Sequence, residues 1–293
     1  MSGLLNDIVV PGVAVGAIYA LVALGFAVLQ RTTGVLNFAH GELMIAGPIV
    51  VMAATRLWHF PLAAAMLLAA VAVIGVALVE ERLAIRPFLR VDNSLPWILS
   101  TLGTSVILAQ LLAEPFGGQS LAYPHGAPIE KTSLGPLRIS PAELVLIATP
   151  VVLAVLLGLL YTRTRVGRML RAVSEDVDGA AAIGISPARM SQIAAGLAGA
   201  VALVAGLVIA PTELVSPSMG LAYLFNGFVA AALGGLGDLR GALLGGLVVG
   251  LVVQIADAYV GSLLINLVMF AVLLLVYLVR PFGVFGGMGA RTV

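Results

Sequence analysis

Cysteine is absent from this chain, and only 10% of its 293 residues are charged. The first absence removes disulfides, thiolate metal sites and a cysteine nucleophile together. The second removes the means of coating a water-facing globule, because soluble domains average about 25% charged residues. A formal net charge of +1 gives no signal for nucleic acid. His40, His59 and His125 lie far apart in sequence, with no metal-ligand spacing among them. The chain also lacks a Ser/His/Asp set, paired carboxylates and a phosphate-cradling glycine loop. Nothing therefore supports catalysis, and no catalytic residue, metal or bound cofactor is expected. A basic leader is missing too. Asn6 and Asp7, and no basic residue, lead into the first apolar run, so that run is expected to be a retained helix rather than a cleaved signal.

What is present is apolar residues, at 61% of the chain, with a mean hydropathy of +1.13. Crossing a hydrocarbon core of about 30 Å takes roughly 20 apolar residues as helix. The runs predict spans over 8–29, 34–54, 61–79, 95–113, 143–161, 190–211, 221–236, 241–257 and 262–280. They are continuously apolar, whereas strands facing lipid would alternate and be about ten residues long. The expected fold is an all-α polytopic helical bundle of eight to ten spans, one domain over 1–293. The seventh and eighth spans are short and glycine-rich, and read as two thin helices or a broken hairpin.

Arginine orients this set. Arg82, Arg86 and Arg90 share one gap, Arg163, Arg165, Arg168, Arg171 and Arg189 another, and Arg280 and Arg291 follow the last span. The positive-inside rule assigns these to the cytoplasm. It leaves the proline- and glycine-rich gap at 114–141 outside. With nine spans the N-terminus is outside and the C-terminus inside. Arg56 is the exception, on the outer side.

Glycines recur at helix-packing spacing: Gly12 and Gly16, Gly241 and Gly245, Gly246 and Gly250. In lipid such pairs let backbones approach closely. Asn37, His40 and Glu42 are expected within the first half of the second span, where ionisable groups are costly and face a cavity, a partner or a pathway. On a helix, Asn37 and His40 would share a face and Glu42 would lie well round from them. Two readings stay open: Asn37 and His40 line a polar route for a solute while Glu42 is fixed by a neighbouring helix, or the three belong to a hydrogen-bond network joining helices near the cytoplasmic interface and touch no solute. Gln110, Gln192, Asn226, Gln254, Asp257 and Asn266 read as interhelical glue.

The gap at 162–190 has its own pattern. Val166, Met169, Leu170, Val173 and Val177 fall at helical spacing, with arginines on the other face. Ser174 followed by Glu175 and Asp176 reads as the cap and acidic first turn of a short helix. Gly184 can stop it, and Ser186-Pro187 opens the next helix. A short capped helix between two spans suits docking by another protein, or an amphipathic connector resting on lipid headgroups.

Three stretches carry a resemblance. They are Gly34-Val35-Leu36-Asn37-Phe38-Ala39-His40-Gly41-Glu42; Arg163-Thr164-Arg165 with Gly167-Arg168, leading into an acidic, alanine-rich loop to Ile185; and Gly234-Gly235-Leu236-Gly237 with Gly241-Ala242 and Gly245-Gly246. Together they resemble the permease subunits of bacterial ATP-binding-cassette importers for branched-chain amino acids, of the LivH type. Urea and short-chain amide permeases share these motifs. The family's coupling motif, Glu-Ala-Ala-x-x-x-Gly, is met in part: Asp178 stands for the acid, Gly179 replaces the first alanine, and Ala180 and Gly184 fit.

The resemblance implies a non-catalytic membrane subunit in the bacterial inner membrane. Its expected partners are a second, related permease, two cytoplasmic ATPases carrying ATP and magnesium, an external solute-binding protein and the bilayer. It also implies that Arg168, Arg171, Glu175, Asp178, Ala181, Ala182, Gly184 and Ile185 serve ATPase coupling. A secondary transporter or channel, from a different class, would need no such dock.

Overall fold

The computed structural model describes residues 5–89, 95–124, 128–134, 137–280 and 283. Arg90, His125 and Arg291, used in the sequence reading, lie outside them. Seven described segments are long and apolar enough to cross a membrane: Asn6–Thr33, Leu62–Phe88, Leu95–Phe116, Pro141–Arg163, Pro187–Ile209, Leu239–Tyr259 and Ser262–Val279. Within and between them run α1 (Val10–Thr33), α2 (His40–Arg56), α3 (Leu62–Glu80), α4 (Leu95–Ala113), α5 (Pro141–Arg163), α6 (Arg165–Glu175) and α7 (Val177–Ala182). The chain continues with α8 (Pro187–Ile209), α9 (Met219–Gly234), α10 (Leu239–Tyr259) and α11 (Ile265–Val279).

Helix α1 is the central post, with α10, α8, α9 and α5 packed around it. From Ala17 to Leu29 every residue is buried. Small side chains make that possible. A Cβ added at Gly16 would meet the backbone of Gly246 and Leu247, and one at Gly250 would meet the backbone of Gly16. The two glycine pairs of α10 serve different neighbours: Gly241 and Gly245 lie against Gly234 and Ala230 of α9, while Gly246 and Gly250 lie against Ala20 and Gly16 of α1. One residue along a helix is a turn of about 100°, so adjacent pairs present adjacent faces.

The second predicted span needs correction. It is not one helix over 34–54. Gly34, at φ +74°, closes α1 in the left-handed region with its N–H on the Gln30 carbonyl, a conformation glycine adopts without strain. Residues 34–39 then run back beside α1 without helix, and α2 starts only at His40. Asn37 therefore sits in this leg, not on a helix face shared with His40. The seventh and eighth spans are two separate helices: α9 has only 16 residues and α10 has 21. The turn between them is closed by Asp238, whose Oδ1 accepts the N–H groups of Arg240 and Gly241 at 2.7 and 2.8 Å.

At the end opposite Gly34, short strands cover the bundle. β1 (Leu121–Ala122) pairs antiparallel with β4 (Leu214–Val215), and β2 (Thr132–Leu134) pairs with β3 (Leu137–Ile139). Arg56, the exception to the charge pattern, donates from Nη2 to the Ala122 carbonyl at 2.8 Å and so ties α2 to this cover. Helix α5 begins with a capping box: Ser140 accepts from the Glu143 N–H, Glu143 accepts from the Ser140 N–H, and Pro141 fills the first helical position.

Candidate translocation site and coupling surface

The polar segment before α2 separates into two parts. Asn37 is buried and fully engaged. Its Oδ1 accepts the Ala39 N–H at 2.7 Å, forming a side-chain turn, and its Nδ2 donates to Glu80 Oε2 at 2.8 Å. Backbone that has left the helical pattern inside a membrane must be supported by neighbouring protein, and Glu80 at the end of α3 provides that support across 43 residues of sequence. The next residue, Glu81, pairs with Arg86 through two hydrogen bonds of 3.1 and 2.8 Å, and Arg86 also reaches the Ala188 carbonyl of α8. The leg, α3 and α8 are joined in this way.

His40 is 1% exposed. Its ring lies 5.6 Å from Phe26 and fills the notch left by Gly25, where an added Cβ would overlap it. The imidazole is packed into the α1–α2 contact.

Glu42 has different surroundings. It lines a cleft of about 520 Å³ between α4 and the start of α9, together with Ser105, Gln110, Ser218 and Leu221. Ser105 faces the same cleft, and the carboxylate's Oε2 has no hydrogen-bond partner among the described residues. Gly41 and Gly220 touch backbone to backbone here, and a Cβ on Gly41 would meet the Gly220 carbonyl. The first turns of α2 and α9 consequently meet beside Glu42. Both present the positive ends of their peptide dipoles, which favour a carboxylate. Helix α4 turns its polar face inward: Thr101 and Ser105, one turn apart, are its two buried residues among those described.

Sequence reasoning missed Glu80, Glu81 and Ser105. Two adjacent carboxylates closing an apolar run were an available signal for the first two. Ser105 carried none, since a lone serine on a membrane helix reads as glue.

The segment at 165–185 also departs from expectation. Ser174 does not cap the short helix. It lies in the last turn of α6, donating to the Arg171 carbonyl at 2.7 Å. Thr164 caps α6, and Asp176 caps α7 by accepting from the Asp178 and Gly179 N–H groups at 3.1 and 2.9 Å. Gly184, at φ +87°, follows α7, and Ser186 with Pro187 opens α8. Leu170 and Val173 of α6 are buried, as is Ala180 of α7. Arg168, Glu175, Asp178, Ala181, Ala182 and Gly184 face outward, Arg171 and Ile185 are half-buried, and Ile183 is 75% exposed. Helix α7 thus offers small apolar side chains on an open face.

Comparison with known proteins places the chain. The family model for the permease component of branched-chain amino acid transport systems matches residues 8–278. The chain belongs to that family. It is 31% identical over 288 residues to the high-affinity branched-chain amino acid transport system permease protein LivH of Salmonella typhimurium, covering 94% of this chain and 93% of the relative. It is 30% identical over 290 residues to LivH of Escherichia coli K12, with 94% and 93% of the two chains covered. BraD of Pseudomonas aeruginosa, a permease protein of the same description, is 30% identical over 290 residues and 94% of each chain. No solved structure matches the chain.

Proposed function

We propose that this chain is a permease subunit of an ATP-driven importer for branched-chain amino acids in the bacterial inner membrane. The observation that carries the reading, beside family membership, is the unpartnered Glu42 oxygen in the α4–α9 cleft. An amino acid brings an ammonium group, which a desolvated carboxylate binds through a charge-assisted hydrogen bond. The Leu102, Val106 and Leu221 walls suit an aliphatic side chain. Urea and short amides lack the ammonium, and the relatives are named for branched-chain amino acids. Both points favour the amino-acid reading.

The assembly follows the family pattern: a second permease completes the pathway, two ATPases supply ATP and magnesium, and an external binding protein delivers solute. In nine crossings the N-terminus is outside, and α7 faces the cytoplasm. The open face around Ala181 and Ala182 is where an ATPase docks, and α7 passes its motion to α8 through the Ser186 cap. Alternating access then exposes the Glu42 cleft to each side in turn. A secondary transporter or channel has no use for such a dock.

The test is uptake of labelled leucine by the full complex in proteoliposomes. Glu42→Gln should lower uptake by about tenfold or more with the complex still assembled, as expected for a lost charge-assisted contact of roughly 1.5–3 kcal/mol. Ala182→Arg should leave membrane insertion intact and abolish both uptake and ATPase co-purification. Full leucine uptake by Glu42→Gln would remove it from the pathway.

A further inference from the structure

At the Gly34 end of the molecule a second cleft, of about 470 Å³, opens between the last turns of α5, the end of α1, α6 and the start of α10. Three arginines from three helices line it: Arg31, Arg171 and Arg240. Among the described residues the ion pairs are Arg86–Glu81 and Lys131–Glu143, so none of these guanidinium groups is ion-paired. The one carboxylate in the lining, Asp238, spends an oxygen on the two N–H groups that it caps. Arg31 is held over the Tyr161 ring, 5.1 Å from its centroid. Arg171 has a buried Nε without a hydrogen-bond partner among the described residues. A desolvated donor of a charged group is costly to leave unmet, and three arginines against one carboxylate leave the lining net positive.

Away from the arginines the wall is apolar, formed by Ala154, Val155 and Gly158 of α5 with Leu243 of α10, and the Thr162 hydroxyl is turned onto the Gly158 carbonyl at 2.7 Å. The wall continues into the outward-facing surface of α5, where Val151, Val155 and Leu159 are 53%, 56% and 48% exposed. A Cβ added at Gly158 meets nothing within 4 Å. The cleft is therefore cationic at one end and greasy and open along the other, on a helix that crosses the membrane.

We propose that this cleft is a binding site for an acidic glycerophospholipid, its phosphate held by Arg31, Arg171 and Arg240 and an acyl chain laid along Gly158. A soluble phosphate would satisfy the arginines and leave the apolar groove unused. The groove is what selects a lipid. The site is separate from the Glu42 cleft and does not depend on the proposed substrate.

The full chain with its partner subunits, purified in detergent, is offered phosphatidylglycerol and phosphatidylcholine of equal chain length, and retained lipid is read by native mass spectrometry. Phosphatidylglycerol should be retained at least about tenfold more, and Arg31→Gln and Arg240→Gln should each weaken retention about fivefold, the weight of one basic residue at a membrane surface. Gly158→Leu fills the groove without changing charge, so it should also cut retention, and it carries the test if the arginine variants fail to assemble. Glycerol phosphate at millimolar concentration should not displace the lipid. Three results would each overturn the proposal: equal retention of both lipids, undiminished phosphatidylglycerol on Gly158→Leu, or displacement by glycerol phosphate.

Discussion

Helices α1 and α11 are both apolar around their whole circumference, yet the first crossing is 89% buried and the last 6%. In water, greater hydrophobicity would decide which helix went inside. Here it cannot, because lipid tails are as apolar as leucine, and helices associate through close van der Waals contact instead. Side-chain size separates the two. Helix α1 carries Gly12, Ala14, Gly16, Ala17, Ala20, Ala23, Gly25 and Ala27, while α11 is almost wholly Leu, Val, Ile, Phe, Met and Tyr, with Ala271 its one small residue. In this pair the smooth helix goes inside, and the bulky one is left uncovered by the rest of the described chain.

Three substitutions probe this contrast. The largest effect is expected for Gly250→Leu, which drives a side chain into the Gly16 backbone of α1. It should cost about 3 kcal/mol or more and remove the monodisperse species in detergent. Recovery at the parent level would break the size argument outright. Next is Leu274→Arg on the lipid face of α11, expected to cost about 2.5 kcal/mol at the insertion step, which a glycosylation-site insertion assay reads. Normal insertion there would mean that α11 does not lie against lipid. The smallest effect is expected for Leu278→Ala, at a residue 85% exposed. Its thermal unfolding in detergent should move by no more than the equivalent of about 0.5 kcal/mol. A larger loss would sharpen the comparison differently, by showing that another subunit covers α11.

The same physics explains what could be read from the sequence. Long apolar runs mark crossings directly, and the glycine pairs in 241–250 mark the helix that packs on two sides. The break at 34–39 was hidden. Its residues are as apolar as a helix, no proline announces it, and its support is Glu80, 43 positions away. The division of labour among Asn37, His40 and Glu42 was hidden for a related reason. Spacing along a helix has no meaning where the chain is not helical, so only the packing of α1, α3, α4 and α9 distinguishes the structural pair from the carboxylate beside a cleft. The mistaken cap at Ser174 came from two acceptable capping residues in a row of three. The buried contacts of Leu170 and Val173 carry α6 past the first and leave Asp176 to begin α7.

The Asn37–Glu80 hydrogen bond also bears on how the protein is made. Residues 34–39 reach the membrane before Glu80 has emerged from the ribosome, 43 positions behind Asn37. Until then the leg has neither helical bonds nor its side-chain partner, and a lone bilayer is a poor solvent for such backbone. Insertion of this chain is therefore not a string of independent crossings. The second is expected to stay sheltered at the insertion machinery until the end of the third arrives. Truncations of the nascent chain ending before and after residue 80 should differ in whether the α1–α2 pair resists extraction.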